Sequence, residues 1–254
     1  MQDRASGAGA ATDEVAAGVH RLGSRLVNWY LLEHADGLTV IDSGLPAHRD
    51  SFVALLEALG RSAADVRHVV LTHWHADHVG CAAWLRSRFG ATVWAPRSEL
   101  PLITGAENHE RPNFLPYLWR PAMIRYVASV VRQGALRVEP VPAVEAYEPD
   151  ATDLPGGLRA IATPGHTRGH CSLLEERRGV LFCGDALATV NLLTWRPEPR
   201  PLLGRVNHDN DAVLRSLARL EEIDAAVLLP GHGDPWRKGA GLAARLALEA
   251  GVPG

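Results

Sequence analysis

The sequence contains only three cysteines among 254 residues, Cys81, Cys171 and Cys183. A low and odd count argues against a disulfide framework and is typical of a reducing compartment, so we expect a cytoplasmic protein. The N-terminus lacks the continuous apolar core of a signal peptide, and no apolar run approaches the ~18 residues of a transmembrane helix. We therefore predict neither a membrane span nor a membrane partner.

Basic tracts and nucleophile motifs are also absent. The 26 Lys and Arg residues are scattered and the net charge is −3, which argues against a nucleic-acid partner. No Gly-x-Ser-x-Gly elbow or Ser-His-Asp arrangement is visible, so a hydrolytic reaction would use water as its nucleophile. The 12 histidines, several of them clustered, are the first indication of a metal.

Apolar periodicity and turn residues predict a single α/β domain over residues 19–254, after a disordered N-terminus at residues 1–18. An aromatic-rich, proline-interrupted insertion at about 101–134 separates two α/β halves, and we expect one sheet in each half. The predicted strands are 25–34, 38–42, 66–71, 91–95, 135–140, 157–162, 171–175, 179–183 and 225–229. The predicted helices are 50–60, 79–89, 121–133, 210–222 and 238–250.

The strongest motif, His73-Trp74-His75-Ala76-Asp77-His78, directly follows a predicted buried strand. Four potential ligands in six positions cannot all face one way in a regular element, but they can diverge in a loop, and imidazole and carboxylate suit zinc and similar metals. The alternative is a polar loop of solvated histidines. Three more loops argue against it, since in each an apolar run and a glycine precede one potential ligand: His166, Asp185 and His232.

In chain order, the motifs His-x-His-x-Asp-His, Pro-Gly-His-Thr-x-Gly-His, Gly-Asp and Pro-Gly-His-Gly resemble those of the metallo-β-lactamase-fold hydrolases, over about residues 25–235. The resemblance implies a four-layer αββα sandwich with two zinc ions, or alternatively iron or manganese, at one edge between the sheets. It also implies a ligand set: His73, His75 and His166 on one metal, Asp77, His78 and His232 on the other, and Asp185 bridging the two.

Two further residues are expected to support the ligands. Asp42, in Val-Ile-Asp-Ser-Gly, matches an acidic position of the family, where it would accept an N–H from a ligand histidine and fix its tautomer. The alternative role for Asp42 is turn formation before Gly44. His170 matches the second histidine of the Gly-His-Thr-x-Gly-His motif, and we expect it to have a structural role next to the ligands rather than to bind metal.

The resemblance is closest to the glyoxalase II and lactonase-like branch, which implies attack of a metal-bridging hydroxide on a thioester, ester or lactone carbonyl, with Asp77 and Asp185 as catalytic carboxylates. Only 22 residues follow His232, where glyoxalase II enzymes carry a helical region that helps to hold glutathione, and no Tyr shortly follows Asp185, as it often does in lactonases. We expect a small-molecule substrate, such as an apolar acyl thioester, and a pocket built from four aromatic residues: Phe114, Tyr117, Trp119 and Trp195.

Several alternatives stay open. The three aromatic residues of the insertion, Phe114, Tyr117 and Trp119, can instead only pack the insertion onto the domain. Some persulfide dioxygenases of the same fold bind one iron through two His and one Asp, and metal content would separate that function from a dinuclear hydrolase. A biosynthetic thioesterase or cyclase of the same fold is also compatible with the apolar insertion. The sequence is consistent with a monomer or a homodimer.

Overall fold

The computed structural model describes residues 13–108 and 113–253. The strands are β1 Asp13–Ala16, β2 Val19–Ser24, β3 Val27–His34, β4 Gly37–Ile41, β5 Val66–Val70, β6 Thr92–Pro96, β7 Glu145–Tyr147, β8 Leu158–Ala162, β9 Cys171–Glu175, β10 Val180–Gly184, β11 Ala188–Val190, β12 Pro197–Arg200 and β13 Val227–Pro230. The helices are α1 Arg49–Ala58, α2 Ala76–Val79, α3 Ala82–Phe89, α4 Leu100–Ile103, α5 Pro121–Arg132, α6 Asn210–Glu221 and α7 Ala240–Ala250.

The strands form two main sheets. Seven strands lie in the order β1-β2-β3-β4-β5-β6-β7, antiparallel as far as β4 and parallel from β4 to β7. Four strands form a second sheet in the order β13-β10-β9-β8, in which only β13 and β10 are parallel. A two-stranded sheet of β11 and β12, which the sequence did not predict, lies apart from both. The prediction of one sheet in each half is confirmed apart from β7, which follows the insertion but completes the first sheet.

Strand β3 shows how the first sheet is covered on both faces. Because neighbouring side chains of a strand point to opposite faces, Leu31 belongs to the buried cluster that contains Phe52 of α1, whereas Tyr30 packs against Phe182 of the second sheet. The Tyr30 and Phe182 rings lie 5.4 Å apart, so this contact joins the two sheets.

The second sheet is covered on its outer face by the last two helices. Leu181 of β10 belongs to a buried cluster with Leu217 of α6 and Ala244 of α7. The order of layers is thus helix, sheet, sheet, helix, which confirms the predicted four-layer αββα sandwich. Another buried cluster joins α5 to β11 and fixes the insertion beside the sheets, with Met123 and Val190 among its members.

Three predictions differ from the structure by more than the exact ends of an element. Residues 13–16 form β1, which pairs with β2, so the predicted disorder through residue 18 is wrong for this part, while residues 1–12 lie outside the described residues. The predicted strand 135–140 is wrong, because Gly134 has a left-handed backbone and Pro140 and Pro142 cannot donate to a sheet. The predicted helix 79–89 is replaced by α2 and α3, which are separated by Gly80 and Cys81.

All three cysteines are buried free thiols, and burial raises the pKa of Cys81 and of Cys171 to about 12. They behave as small apolar core residues. Within residues 13–108 and 113–253, no helix has both the length and the apolar character needed to cross a membrane.

Candidate metal centre

The potential ligands follow the carboxyl ends of strands from both sheets. The motif His73–His78 comes after β5, His166 after β8, Asp185 after β10 and His232 after β13. Because β10 and β13 are parallel neighbours, their ends bring Asp185 and His232 to the same edge. The loops meet between the sheets, and all seven predicted residues lie in one buried cluster.

The first group of potential ligands contains His73, His75, His166 and Asp185, whose ligand atoms lie within 4.8 Å of one another. His75 Nδ1 is 3.1 Å from His73 Nε2 and 2.8 Å from His166 Nε2. Asp185 Oδ2 lies 3.3 Å from His166 Nε2 and 4.0 Å from His73 Nε2. Three ring nitrogens and one carboxylate oxygen therefore converge on one point.

The second group contains Asp77, His78 and His232. His232 Nε2 lies 3.7 Å from Asp77 Oδ2 and 3.2 Å from Asp185 Oδ2, and His78 Nε2 lies 3.4 Å from Asp185 Oδ1. The carboxylate of Asp185 therefore contacts nitrogens of both groups and lies between them.

Hydrogen bonds on the far side of the rings set which nitrogen faces the cluster. His73 Nδ1 bonds Thr72 Oγ1 at 2.9 Å, and His166 Nδ1 bonds Asn207 Oδ1 at 3.0 Å. His232 Nδ1 donates to the carbonyl of Leu26. Because Nδ1 carries the hydrogen in these bonds, the Nε2 lone pairs of these histidines point inward, as metal ligands require. Asn207 was not identified from the sequence, since no motif surrounds it.

Asp42 provides the matching bond for His78. Its Oδ2 lies 2.8 Å from His78 Nδ1, and its Oδ1 accepts the backbone N–H of Thr72 at 2.8 Å. Asp42 has a positive φ of 56°, a conformation that Asp tolerates better than most residues. The predicted contact between Asp42 and a ligand histidine is therefore present. The backbone conformation after β4 places the Asp42 carboxylate next to His78.

Replacing Asp42 by Asn is expected to weaken metal binding about 10–100-fold, the usual effect of losing a partner of a ligand histidine. The carboxylate of Asp42 uses one oxygen for His78 and the other for Thr72, whereas the amide of Asn has only one acceptor oxygen. Competition with a chromophoric chelator would measure the affinity. Asp36→Asn, in the exposed β3–β4 turn, is the matched control. Equal affinity in the two variants would contradict this role of Asp42.

His170 supports Asp185 rather than facing the ligand atoms of the two groups. Its Nε2 accepts the backbone N–H of Asp185 at 3.0 Å, and its Nδ1 bonds Thr163 Oγ1 at 2.8 Å. Burial lowers the pKa of His170 to about 3, so the ring is neutral and can accept that bond. The contacts agree with the structural role expected for His170.

Glu99 is a buried carboxylate that the sequence analysis missed. It is only 1% exposed, and it lies in a single turn after β6. Its Oε1 accepts the backbone N–H of Gly169 at 2.6 Å, and its Oε2 accepts that of Trp74 at 3.1 Å. Trp74 lies between two potential ligands and Gly169 lies next to His170. Glu99 therefore ties together the two loops that form the first group.

Glu99→Gln is expected to weaken metal binding about 10-fold or more and to reduce the free energy of unfolding by about 1–3 kcal/mol. The amide nitrogen cannot accept, so one backbone N–H loses its partner in a buried place. Chelator competition and denaturant unfolding would measure the two effects, and exposed Glu57→Gln on α1 is the control. Full metal affinity in the Glu99 variant would show that the two loops hold their positions without this carboxylate.

The chemistry of the cluster fits metal ions. His78 Nε2 and Asp185 Oδ1 are buried and have no hydrogen-bond partner, which is costly unless a cation satisfies them. Imidazole nitrogen and carboxylate oxygen are the donors that zinc and other first-row metals take. The residues present therefore fit two neighbouring metal ions.

Burial and charge shift the pKa values of the cluster in two directions. Burial and neighbouring histidines hold the pKa values of His73 and His75 well below their usual range. Burial also disfavours protonation of His232, but the carboxylate of Asp185 outweighs it and raises the pKa to about 8. For Asp185, burial opposes ionisation, yet His232 and His78 hold its pKa well below the ordinary value. Asp185 is therefore ionised at neutral pH.

The cluster forms the floor of a cavity of about 360 Å³. Its walls are mainly apolar side chains of the insertion and of the segment 192–206, including Phe114, Tyr126, Val127, Val130, Leu192, Leu202 and Val206. The polar groups of the lining come from the potential ligands His75, Asp77, His166, Asp185 and His232, together with the indole of Trp74 and the phenol of Tyr126.

Of the four aromatic residues predicted to form the pocket, only Phe114 lines the cavity. Tyr117 is buried with its hydroxyl accepting the backbone N–H of Arg205, Trp119 is 72% exposed, and Trp195 packs behind Tyr126. The prediction missed two aromatic residues of the lining: Trp74, within the His73–His78 motif, and Tyr126, on the side of α5 that faces the cluster. The Tyr126 hydroxyl donates to Asp77 Oδ2 at 3.5 Å.

Comparison with known proteins agrees with this geometry. The family model of the metallo-beta-lactamase superfamily matches residues 22–232. The probable metallo-hydrolase YflN of Bacillus subtilis is 28% identical over 87% of this chain and 86% of its own length. The metallo-beta-lactamase domain-containing protein 1 of Xenopus laevis is 32% identical over 79% of this chain and 68% of its own.

A solved structure shows the same fold. The metallo-beta-lactamase family protein TTHA1429 from Thermus thermophilus superposes with a TM-score of 0.65 and is 27% identical. The match covers 90% of this chain and 77% of that protein.

Proposed function

The chain belongs to the metallo-β-lactamase superfamily of metal-dependent hydrolases, and we propose that it binds two zinc ions and cleaves an apolar acyl ester, lactone or thioester with water. The observation that carries this proposal is the position of the Asp185 carboxylate, between two complete groups of potential ligands and at the floor of an apolar cavity. The substrate in this proposal is a small molecule.

In the proposed centre, His73, His75 and His166 would hold one zinc ion, a second group would hold the other, and Asp185 would be shared between them. The second group is Asp77, His78 and His232. Bound zinc ions supply a water of lowered pKa and an electrophilic contact for a carbonyl oxygen. The donor set also accepts iron or manganese, and zinc is proposed because nitrogen-rich sites with an open position are typical of catalytic zinc.

Asp77 is proposed to take the proton of the attacking water. It lines the cavity and keeps 14% of its side chain exposed, so it reaches the substrate space as well as the ligand cluster. The Tyr126 hydroxyl donates to Asp77 and lines the same cavity. Burial and then the charge of Asp77 raise the pKa of Tyr126 well above its usual range, so it stays a donor. Tyr126 can therefore orient Asp77 and donate to an oxygen of the substrate.

The walls of the cavity support an apolar acyl group. Beyond the floor, the lining residues that the structure describes include no Lys, Arg, Ser, Thr, Asn or Gln that would pair with a charged or strongly polar substrate. A glutathione thioester would bring several such groups into a place where they lose their water. The same walls are compatible with a thioesterase or cyclase of a biosynthetic pathway.

The test combines metal content with a substrate series. Purified protein is expected to contain about two zinc ions per chain by mass spectrometry and to hydrolyse nitrophenyl esters with a rate that rises from acetate through hexanoate to octanoate. S-lactoylglutathione, which is polar and charged, is the comparison substrate. Acyl lactones and thioesters of the preferred length then identify the bond.

Three results would contradict parts of the proposal. About one iron per chain, with oxygen uptake on glutathione persulfide, would favour the mononuclear dioxygenase, which the complete second ligand group argues against. A preference for S-lactoylglutathione over every acyl ester would contradict the apolar substrate. No metal at all would contradict the metal centre itself.

A further inference from the structure

Helix α5 is apolar on its inner face and also on an exposed flank beside that face. Met123, Tyr126, Val127 and Val130 recur at helical spacing and face inward, where Met123 and Tyr126 are buried. Ile124 and Val131 are seven residues apart and therefore share the flank next to this inner face, where they are 52% and 43% exposed. A surface helix normally presents charged or polar residues to water along that side. The exposed flank of α5 therefore has the composition of a surface that is covered.

The same property extends over the segment that carries α5. Of the seven large apolar side chains exposed in residues 13–108 and 113–253, five lie between residues 115 and 136: Leu115, Trp119, Ile124, Val131 and Leu136. Leu115 is 77% exposed and Trp119 is 72% exposed, so these are whole side chains in water rather than edges. Such a concentration marks an interaction surface. We call these five residues the apolar rim.

The apolar rim borders the cavity above the metal centre. Val131 and Leu136 line the cavity and are also exposed, which places them at its opening. Phe114 lines the cavity directly next to Leu115. A partner that covers the apolar rim would therefore also contact the entrance of the cavity.

The charge of the segment identifies the partner. Four arginines, Arg120, Arg125, Arg132 and Arg137, lie within residues 113–138, which contain no Asp or Glu, although the whole chain has a net charge of −3. None of these four guanidinium groups forms an ion pair with a described residue, and Arg120 lies over the ring of Trp119 at 4.3 Å. Arginine next to exposed Trp, Leu and Ile is the composition of segments that bind at the surface of an anionic bilayer.

We propose that the apolar rim and its four arginines bind the surface of an anionic lipid bilayer, with the cavity entrance facing the acyl chains. The apolar side chains insert among the lipids and the arginines pair with lipid phosphates, while the rest of the acidic chain stays in water. The proposal that this surface binds a bilayer depends only on the exposed residues described above. The proposal that the enzyme takes an apolar acyl substrate from the bilayer depends also on the proposed function. The proposed surface attachment differs from the expectation from the sequence that the protein has no membrane partner.

Flotation with lipid vesicles tests the binding separately from catalysis. The vesicles are made of ether-linked phosphatidylglycerol or ether-linked phosphatidylcholine, which offer no acyl ester to hydrolyse. Metal-loaded full-length protein is expected to float with the anionic vesicles, to float much less with the zwitterionic ones, and to lose binding as salt is raised. A failure of the proposed hydrolase function would leave this result unchanged.

Two pairs of variants locate the surface. Trp119→Ala combined with Leu115→Ser, and Arg125→Gln combined with Arg132→Gln, are each expected to weaken vesicle binding at least about tenfold. The controls are Val53→Ser with Leu242→Ser, which are exposed apolar residues elsewhere, and Arg88→Gln, which is an exposed arginine on α3. Circular dichroism confirms that each variant is folded.

Three outcomes would overturn the proposal. The first is no flotation with either vesicle. The second is equal loss of binding in the control variants, which would mean that no particular surface is used. The third is a homodimer in solution that the Trp119 variant dissociates, because a second copy of the chain would then cover the apolar rim.

Discussion

Asp185→Asn is expected to reduce kcat/KM by about 10³-fold or more and to lower the metal content from about two ions per chain to one or fewer. The carboxylate contacts His166 and His232 at 3.3 and 3.2 Å, so it serves both groups of ligands at once. Asparagine has the same shape but no charge, and its amide nitrogen cannot bind a metal. The variant therefore removes the charge that the two groups share while it keeps the packing of the buried loop.

Metal content by mass spectrometry and ester hydrolysis at saturating zinc measure the two effects of Asp185→Asn. Asp224→Asn, at an exposed position between α6 and β13, is the control for the chemical change. A variant that keeps two metals and most of its activity would show that Asp185 is not shared between them. Loss of one metal with nearly full activity would instead support a mononuclear enzyme.

The potential ligands could be found from the sequence because each lies in a local pattern with a physical cause. A buried strand ends, a glycine or a short loop allows the chain to turn, and a His or Asp follows, as at His166 and His232. The structure brings together all seven residues named on that basis. Only some of the residues that hydrogen-bond to the potential ligands or hold their loops could be predicted from the sequence. Asp42 lies in such a pattern after β4, whereas Glu99 and Asn207 reach the cluster through tertiary contacts that no local spacing encodes.

The substrate pocket was the least predictable part of the site. Residues of the aromatic-rich insertion line the cavity, but which rings do so depends on where the tertiary fold directs each side chain. Tyr126, on the inner face of α5, is buried above Asp77, whereas Trp119, in the turn before this helix, is 72% exposed. The wrongly predicted strand at 135–140 has a similar origin, since its apolar residues Leu136 and Val138 line the cavity instead of pairing in a sheet.

Gly231→Ala is expected to lower activity at least about 100-fold while the fold stays intact. A β-carbon at this position would meet Asp185 Oδ1 and lie 2.7 Å from His78 Cε1, so both side chains would have to move. Both are ligand side chains whose ends can rotate, and the backbone of Gly231 does not need a positive φ. The free energy of unfolding should therefore fall by only about 1–3 kcal/mol, as in other overpacked sites. The β-carbon would therefore move the Asp185 carboxylate and the His78 imidazole away from the positions in which they can bind two metals.

Gly60→Ala provides the matched control for Gly231→Ala. Its β-carbon would meet no atom within 4 Å, but its φ of 63° makes alanine cost about 1–2 kcal/mol, a similar loss of stability without displacement of a ligand. Thermal unfolding, metal content and ester hydrolysis are measured on both variants. Because both should lose similar stability, a selective loss of metal and activity in Gly231→Ala would assign that effect to the displaced Asp185 and His78. Parallel losses in both variants would mean that activity follows overall stability and would contradict the steric argument.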